Sequence, residues 1–508
     1  MTEPSNSISM VERASNLLGR AAWFLWLMLL ITIPWTSSRW VVKIIGLTPV
    51  SPLALIPLVI LFLVWFIPYL LRGGKLPVYS WPLLALLVIV IAADAAAFFL
   101  PLEPYKGRTL LSREIRALIT LGIGFAFYFL ASLMPDSEAK VRDSLRALYY
   151  GAILTMVWAS VQAYFVLDGT DGMPYDFIKL HRQFVIRQPI GHRVSGLAFE
   201  PSWLADQLVV LYLPLWFSSV INRFSVFRTR RSWVSVELFL GIWGIMILAL
   251  TFSRGGYLTF FAISGVLYLL GIWKLTGWLS WRMLRANKAA DNIRRRVLQI
   301  MFSLILISVF IGAVGAVAVF VSERDTRMMN LLGIPAQIPE ARALHPGTLP
   351  FELARRLGIA ERVVFWEAGY RPFEKYPVLG VGLGNAGFLF PDMVTPSGVG
   401  LTEIREILDP SNSNFPNPKN LWIRLLSETG ILGFSAFVAW LILLGSGSYV
   451  LMRNSKLLYR VIGVSGAIAV AAVALENFSL DTFALPQMWI ATGLLTASCR
   501  RIGHQKNK

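Results

Sequence analysis

ERVVFWEAGYRPFEKYPVLGVGLGNAGF (residues 361–388) is followed by NPKNLWIRLLSETGILGF (417–434). The first stretch is charged, aromatic and glycine-rich. The second starts polar and runs into an apolar helix. They belong to one large polar segment, 322–418, and the helix that leaves it. The rest of the chain is mostly apolar runs of about 20 residues, each long enough to cross a bilayer. This pattern predicts an all-α polytopic integral membrane protein, one domain over 1–508, with its chemistry or recognition in the large loop.

Composition supports this class. Of 508 residues, 56% are hydrophobic and 15% charged, whereas a soluble domain carries about 25% charge. Working outward from the large loop, we read twelve spans: 20–35, 50–71, 80–100, 114–134, 145–167, 202–222, 233–252, 255–273, 299–321, 419–447, 458–480 and 485–499. The first reads as an uncleaved anchor rather than a signal peptide. The single cysteine, Cys499, permits no intrachain disulfide.

The net charge of +18 invites a nucleic-acid reading, but the positive-inside rule explains it better. Short connectors on one side carry Arg13, Arg20, Arg72, Lys75, Lys140, Arg142, Arg146, the basic stretch 285–296 and the C-terminal tail. That side is expected to be cytoplasmic, with both termini. The long loops 168–201 and 322–418 then lie outside, and every even-numbered span starts on the outer face.

Several of those starts carry a cation beside a helix-start signal. Arg193 precedes the sixth span in HRVSGLAFEPSW, where Pro201 suits a first turn. Arg254 sits in the TFSRGG turn before the eighth. Asn417, Pro418 and Lys419 precede the tenth, with Asn417 as the expected cap. Ser112 is a possible cap for the fourth, near Arg113 and Arg116. A helix N-terminus offers unpaired N–H groups and positive partial charge, and an arginine fork matches phosphate oxygens. If these ends converge, they form a phosphate site at the membrane boundary. Interfacial anchoring is the competing reading, weakest for Arg193 and Arg254, which sit in tight turns.

Glu200, beside Pro201, suits a general base, an arginine partner or a first-turn carboxylate. Glu428, Glu476, Asp481, Asp94 and Asp206 lie in or near spans, where ionisable groups are functional candidates or structural acceptors. His181, His192, His345 and His504 have no metal-ligand spacing, so no metal is expected. LGVGLGNAG (379–387) lacks the βαβ context of a dinucleotide site. Its glycines suit a tight turn or close approach to a ligand, outside the membrane, and no cofactor is implied. DGTDG (168–172) is a plain turn, too short for a calcium loop. In the large loop, Val363, Trp366 and Tyr370 share one helical face, with Glu361 and Arg362 at its start. That predicts an amphipathic helix on the membrane or over a cleft. Its aromatics suit either packing or stacking on sugars.

The ordered motifs RVSG…EPS, TFSRGG, R…W…PVLGVGLGN and N…W…SETGILG, over about 190–436, resemble the O-antigen ligase and Wzy-type polysaccharide polymerase superfamily. LPQMW near the end looks similar too. The resemblance implies a metal-independent glycosyltransferase with a GT-C-like bundle and one large periplasmic loop. It would act on undecaprenyl-pyrophosphate-linked glycans in the bacterial inner membrane. Arg193 and Arg254 would hold the donor pyrophosphate, and Arg362, Trp366 and Asn420 would face donor or acceptor glycan. A flippase and a chain-length regulator of the same pathway are the implied protein partners. The ligases usually carry histidine where this chain has Lys419, before Asn420. Lys419 then serves as a phosphate contact or an unusual base, and Glu200 is the expected base. The departure favours a polymerase over a ligase. A transporter of lipid-linked glycan is the alternative of another class.

Overall fold

The computed structural model describes residues 10–46, 48, 50–168, 173–227, 235–283, 291–322, 349–356 and 358–506. The turn at 168–172, the basic stretch 285–296, His345 and the first part of the large loop lie wholly or partly outside them. In chain order the main helices are α1 (Met10–Thr32), α2 (Arg39–Ile45), α3 (Leu55–Leu71), α4 (Val78–Ala97), α5 (Leu110–Leu133), α6 (Glu138–Leu167), α7 (Tyr175–Phe184) and α8 (Pro201–Ile221). They continue with α9 (Val236–Leu250), α10 (Arg254–Met283), α11 (Asp291–Ser322), α12 (Leu349–Arg356), α13 (Ala360–Lys375), α14 (Thr402–Leu408), α15 (Leu421–Met452), α16 (Leu457–Glu476) and α17 (Pro486–Lys506). Among the described residues there is no strand, only three isolated bridges.

Each of the twelve expected segments falls on a helix. By length and composition, eight qualify as membrane-crossing: α4, α5, α6, α8, α15, α16 and the apolar parts of α10 and α11. Shorter apolar runs occupy α1, α3 and α9. The chain is thus a polytopic helical membrane protein, with eight full-length spans among the described residues.

Helix α8 is the central post, buried over most of its length, while the apolar stretch of α11 buries no residue. Small residues let the inner helices close on one another. A Cβ on Gly493 of α17 would stand 2.4 Å from the Ala131 Cβ of α5, the kind of approach that small residues permit between membrane helices. Buried polar groups are matched across the same contacts. Tyr128 and Thr496 hydroxyls lie 3.0 Å apart, and Trp26 Nε1 donates to Ser144 Oγ at 2.9 Å. Helices α3 and α8 each contain a π-helical turn, Phe62–Phe66 and Leu208–Tyr212, ahead of Pro68 and Pro214. A helical proline deprives the carbonyl four residues back of its donor, and a wider turn accommodates the ring.

The tenth span, expected to be continuous, is broken at Gly430 (φ 62°, ψ −166°). The break has a partner in the large loop. Val381 N donates to Ser427 O at 2.9 Å and Gly382 N to Glu428 O at 3.0 Å, while Ile431 N donates to Pro377 O at 2.8 Å. The glycine-rich stretch therefore completes the hydrogen bonding that the break removes. Gly380, Gly382 and Gly384 all have positive φ, and a Cβ on Gly430 would stand 2.1 Å from Val378 O. Residues 381–388 are all buried, so the expected tight turn is packed into the protein. Its glycines bring the chain onto its own backbone. Asp94 Oδ1 accepts from Leu383 N at 2.6 Å, and Glu114 accepts from Asn385 Nδ2 at 2.9 Å. Non-helical backbone survives in such a bundle only where protein groups satisfy it.

Candidate active site where four helices begin

The N-terminal ends of α5, α8, α10 and α15 meet around one cavity of about 910 Å³. This is the convergence that the sequence left open. The walls hold seven cations (Arg113, Arg116, Arg193, Arg254, Arg362, Lys419 and Arg424) and three carboxylates (Glu200, Glu403 and Asp481). Excess positive charge joins four positive helix ends, an electrostatic setting that favours an anion over a cation. Trp203, Phe252, Leu258, Leu475 and Phe478 supply an apolar wall beside it. Phosphate and hydrocarbon chemistry can thus meet in one space.

The turn that carries Arg193 is fixed from α6. Gln162 Oε1 accepts from Ser195 N at 3.0 Å and Gly196 N at 2.8 Å, and Thr155 Oγ1 accepts from Leu197 N at 3.2 Å. Gly196 has φ +59°, and a Cβ there would lie 2.6 Å from Thr155 Oγ1; this is why RVSG ends in glycine. Arg193 Nε donates to Thr251 O at 2.9 Å, which locks this turn to TFSRGG. In that second turn the Ser253 hydroxyl accepts from Gly256 N at 3.4 Å. A Cβ on Gly256 would stand 2.7 Å from the Ala205 Cβ, so the glycine lets α10 press against α8. Arg254 Nη2 reaches across to Gly358 O, 3.1 Å away, just before α13.

Glu200 occupies the N-cap position of α8, yet its side chain caps nothing. Instead it pairs with Arg187 and accepts from Ser202 Oγ at 3.1 Å. It is over a third exposed and faces the cavity. Arg187, which also lies over the Phe199 ring at 4.9 Å, went unnoticed in the sequence. Nothing in its local spacing advertised a contact made across a loop.

The start of α15 differs from the expectation. The cap is Asn420, not Asn417: its Oδ1 accepts from Trp422 N at 2.9 Å and Ile423 N at 3.2 Å. Asn420 is buried and does not line the cavity. Asn417 Oδ1 accepts from Lys419 N at 3.2 Å, within a turn where Lys419 has φ +50°. The Lys419 ammonium pairs with Glu403 on α14 and lies 4.1 Å from the Phe365 ring centre. At α5 the cap is Thr109, which accepts from Ser112 N, rather than Ser112 itself.

Helix α13 exists, but it buries a different face. Val364, Phe365, Ala368 and Gly369 are buried, while Tyr370 is exposed. Val364, Phe365 and Ala368 form a small second core with Phe390, Met393 and Ile404. The helix packs on the start of α15, where a Cβ on Gly369 would meet Pro418 at 2.7 Å. Its cavity edge carries Arg362 and Trp366. Arg362 Nη1 donates to the carbonyls of Lys419 and Ser479, at 3.3 and 3.4 Å. The buried Trp366 indole nitrogen has no partner among the described residues.

Of the carboxylates within spans, Glu428 pairs with Arg424 at 2.8 Å, both nearly buried. That i,i+4 pair was readable in the sequence. Asp206 accepts from Gln487. Glu476 lies behind the cavity wall, its Oε2 within 3.6 Å of a Cβ placed on Gly255. Asp481 lines the cavity beside Arg424.

Residues 239–438 match the family model described as O-antigen ligase. No curated protein matches the chain. The matched stretch includes the TFSRGG turn, α13 and the start of α15, whereas the RVSG turn and Glu200 precede it. Residues 239–438 therefore carry an O-antigen ligase domain, of a membrane glycan-processing family, within a multi-pass helical membrane protein.

Proposed function

We propose that the chain is an inverting, metal-independent glycosyltransferase that polymerises undecaprenyl-pyrophosphate-linked repeat units on the periplasmic face. The gathering of four helix N-termini and seven cations around one cavity supports this reading. An acceptor hydroxyl attacks the anomeric carbon of the donor glycan. The new glycosidic bond forms as the bond from that carbon to the pyrophosphate oxygen breaks, and the electron pair leaves with the pyrophosphate. Arg193 and Arg254 meet the growing negative charge, where preorganised cations are most effective. Glu200 takes the hydroxyl proton. Arg362 and Trp366 line the glycan side. Lys419, bound to Glu403, is an electrostatic element and not the base.

A second reading, transfer of a finished glycan to lipid A core or to protein, is favoured by the family match. The two separate in one experiment. Purified protein receives an undecaprenyl-pyrophosphate repeat unit with and without a lipid A core acceptor. A ladder of longer lipid-linked glycans supports the polymerase. Transfer of one block to core supports the ligase. Movement across the membrane without bond formation overturns both in favour of a transporter.

A further inference from the structure

Behind the cavity, His181 on α7 joins two parts of the site. It is 1% exposed. Its Nδ1 accepts from Trp158 Nε1 at 3.0 Å and lies 3.4 Å from Gln162 Nε2. A further hydrogen bond ties the ring to the Arg187 main chain. Gln162 is the side chain that fixes Ser195 and Gly196, and its Nε2 also donates to Gly196 O at 3.3 Å. Arg187 is the residue that pairs with Glu200. One imidazole thus stands behind the turn that carries Arg193 and behind the partner of the expected base.

We propose that His181 is a positioning residue for the anion site, orienting Gln162, and with it the Arg193 turn, through Nδ1 and the Arg187 segment through its opposite nitrogen. This rests on the pyrophosphate reading of the cavity. The arrangement needs a neutral ring with Nδ1 as acceptor. Burial favours that form, holding His181 down at about 4. The groups facing the ring are Trp158, Gln162, Phe177 and the Arg187 main chain, none of them a side-chain charge. Without the acceptor, Gln162 loses an orienting partner and the turn loses its fixed register.

The test uses the full chain in nanodiscs. His181→Phe keeps an aromatic ring in the stack but removes both nitrogens. His181→Asn places an oxygen near the Nδ1 position. Hydrogen exchange reads the amides of 190–199, and calorimetry reads binding of farnesyl pyrophosphate as a soluble stand-in for the donor. The Phe variant is expected to exchange faster at 195–196 and to bind about tenfold more weakly, the scale of one well-placed hydrogen bond. The Asn variant is expected to restore both. Unchanged exchange in the Phe variant, or no rescue by Asn, overturns the proposal. If the Phe variant does not fold, Gln162→Glu is read the same way. It keeps the acceptor for Ser195 and Gly196 but cannot donate to His181. If the unmodified protein itself fails to bind farnesyl pyrophosphate, the pyrophosphate reading falls. The exchange comparison then still decides the positioning role.

Discussion

The two halves of the stretch 361–388 do different jobs. Helix α13 touches the cavity with Arg362 and Trp366, and its Trp366 indole nitrogen has no partner among the described residues. The glycine-rich half, only a few residues later, is bonded to the broken helix α15 and buried over 381–388. The first half brings side chains to the edge of a cavity. The second uses its backbone groups to repair a gap. Adjacent residues can therefore be scaffold or site, and what separates them is where their hydrogen bonds go.

Breaking each half has a distinct signature. Arg254→Ala is expected to lower turnover by about 100- to 1000-fold, the range for removing one preorganised charge-stabilising group. Its melting temperature in detergent should barely move; near-normal turnover would remove its pyrophosphate role. Glu200→Gln is expected to cost about 100-fold in rate, with donor binding retained. A small rate effect would transfer the base to another carboxylate.

The scaffold half responds in the opposite way. Gly430→Ala forces a side chain into a conformation that only glycine adopts and into Val378 O, so a loss of at least about 3 kcal/mol is expected. Thermal unfolding and yield would show it, and activity per folded molecule should stay close to normal. An unchanged melting point would mean that the helix break is not held by the loop.

His181 predicts a pH effect of similar size on stability. Its folded-state value is near 4, below the ordinary 6.5. Above 6.5 the neutral ring costs nothing extra. Between 6.5 and 4 the unfolded chain takes up a proton that the folded protein refuses, and on the order of 3 kcal/mol is lost. His181→Asn should flatten this limb in an unfolding series from pH 7 to 4. The smallest effect is expected at the Lys419–Glu403 pair, which is partly exposed. Glu403→Gln should change stability by less than about 1 kcal/mol. A large loss of turnover there would restore Lys419 to the chemistry.

The membrane class and the four helix starts were legible because hydrophobic runs and turn residues are local signals. Arg193, Arg254, Arg362 and Trp366 were identified before their convergence was visible. The caps of α5 and α15 were misplaced by three residues each, because several polar residues in a row offer the same signal and only backbone geometry chooses among them. The buried face of α13 was missed because its partners, Pro418 and the second core, come from distant segments. Arg187 and Gln162 act only through tertiary contacts, which no spacing in the chain records.

The pairing between 377–382 and the gap in α15 also limits how the cavity can open. A lid hinged at its C-terminal end would have to unzip four main-chain bonds from the interior of a membrane helix. The stiff end of α13 is thus the one that runs into the glycines. Its N-terminal end is tied to the cavity by single side-chain contacts, Arg254 to Gly358 and Arg362 to Ser479 and Lys419. Both ties are arginine side chains that line the cavity, so they can be exchanged for another acceptor, whereas the main-chain bonds at the far end cannot.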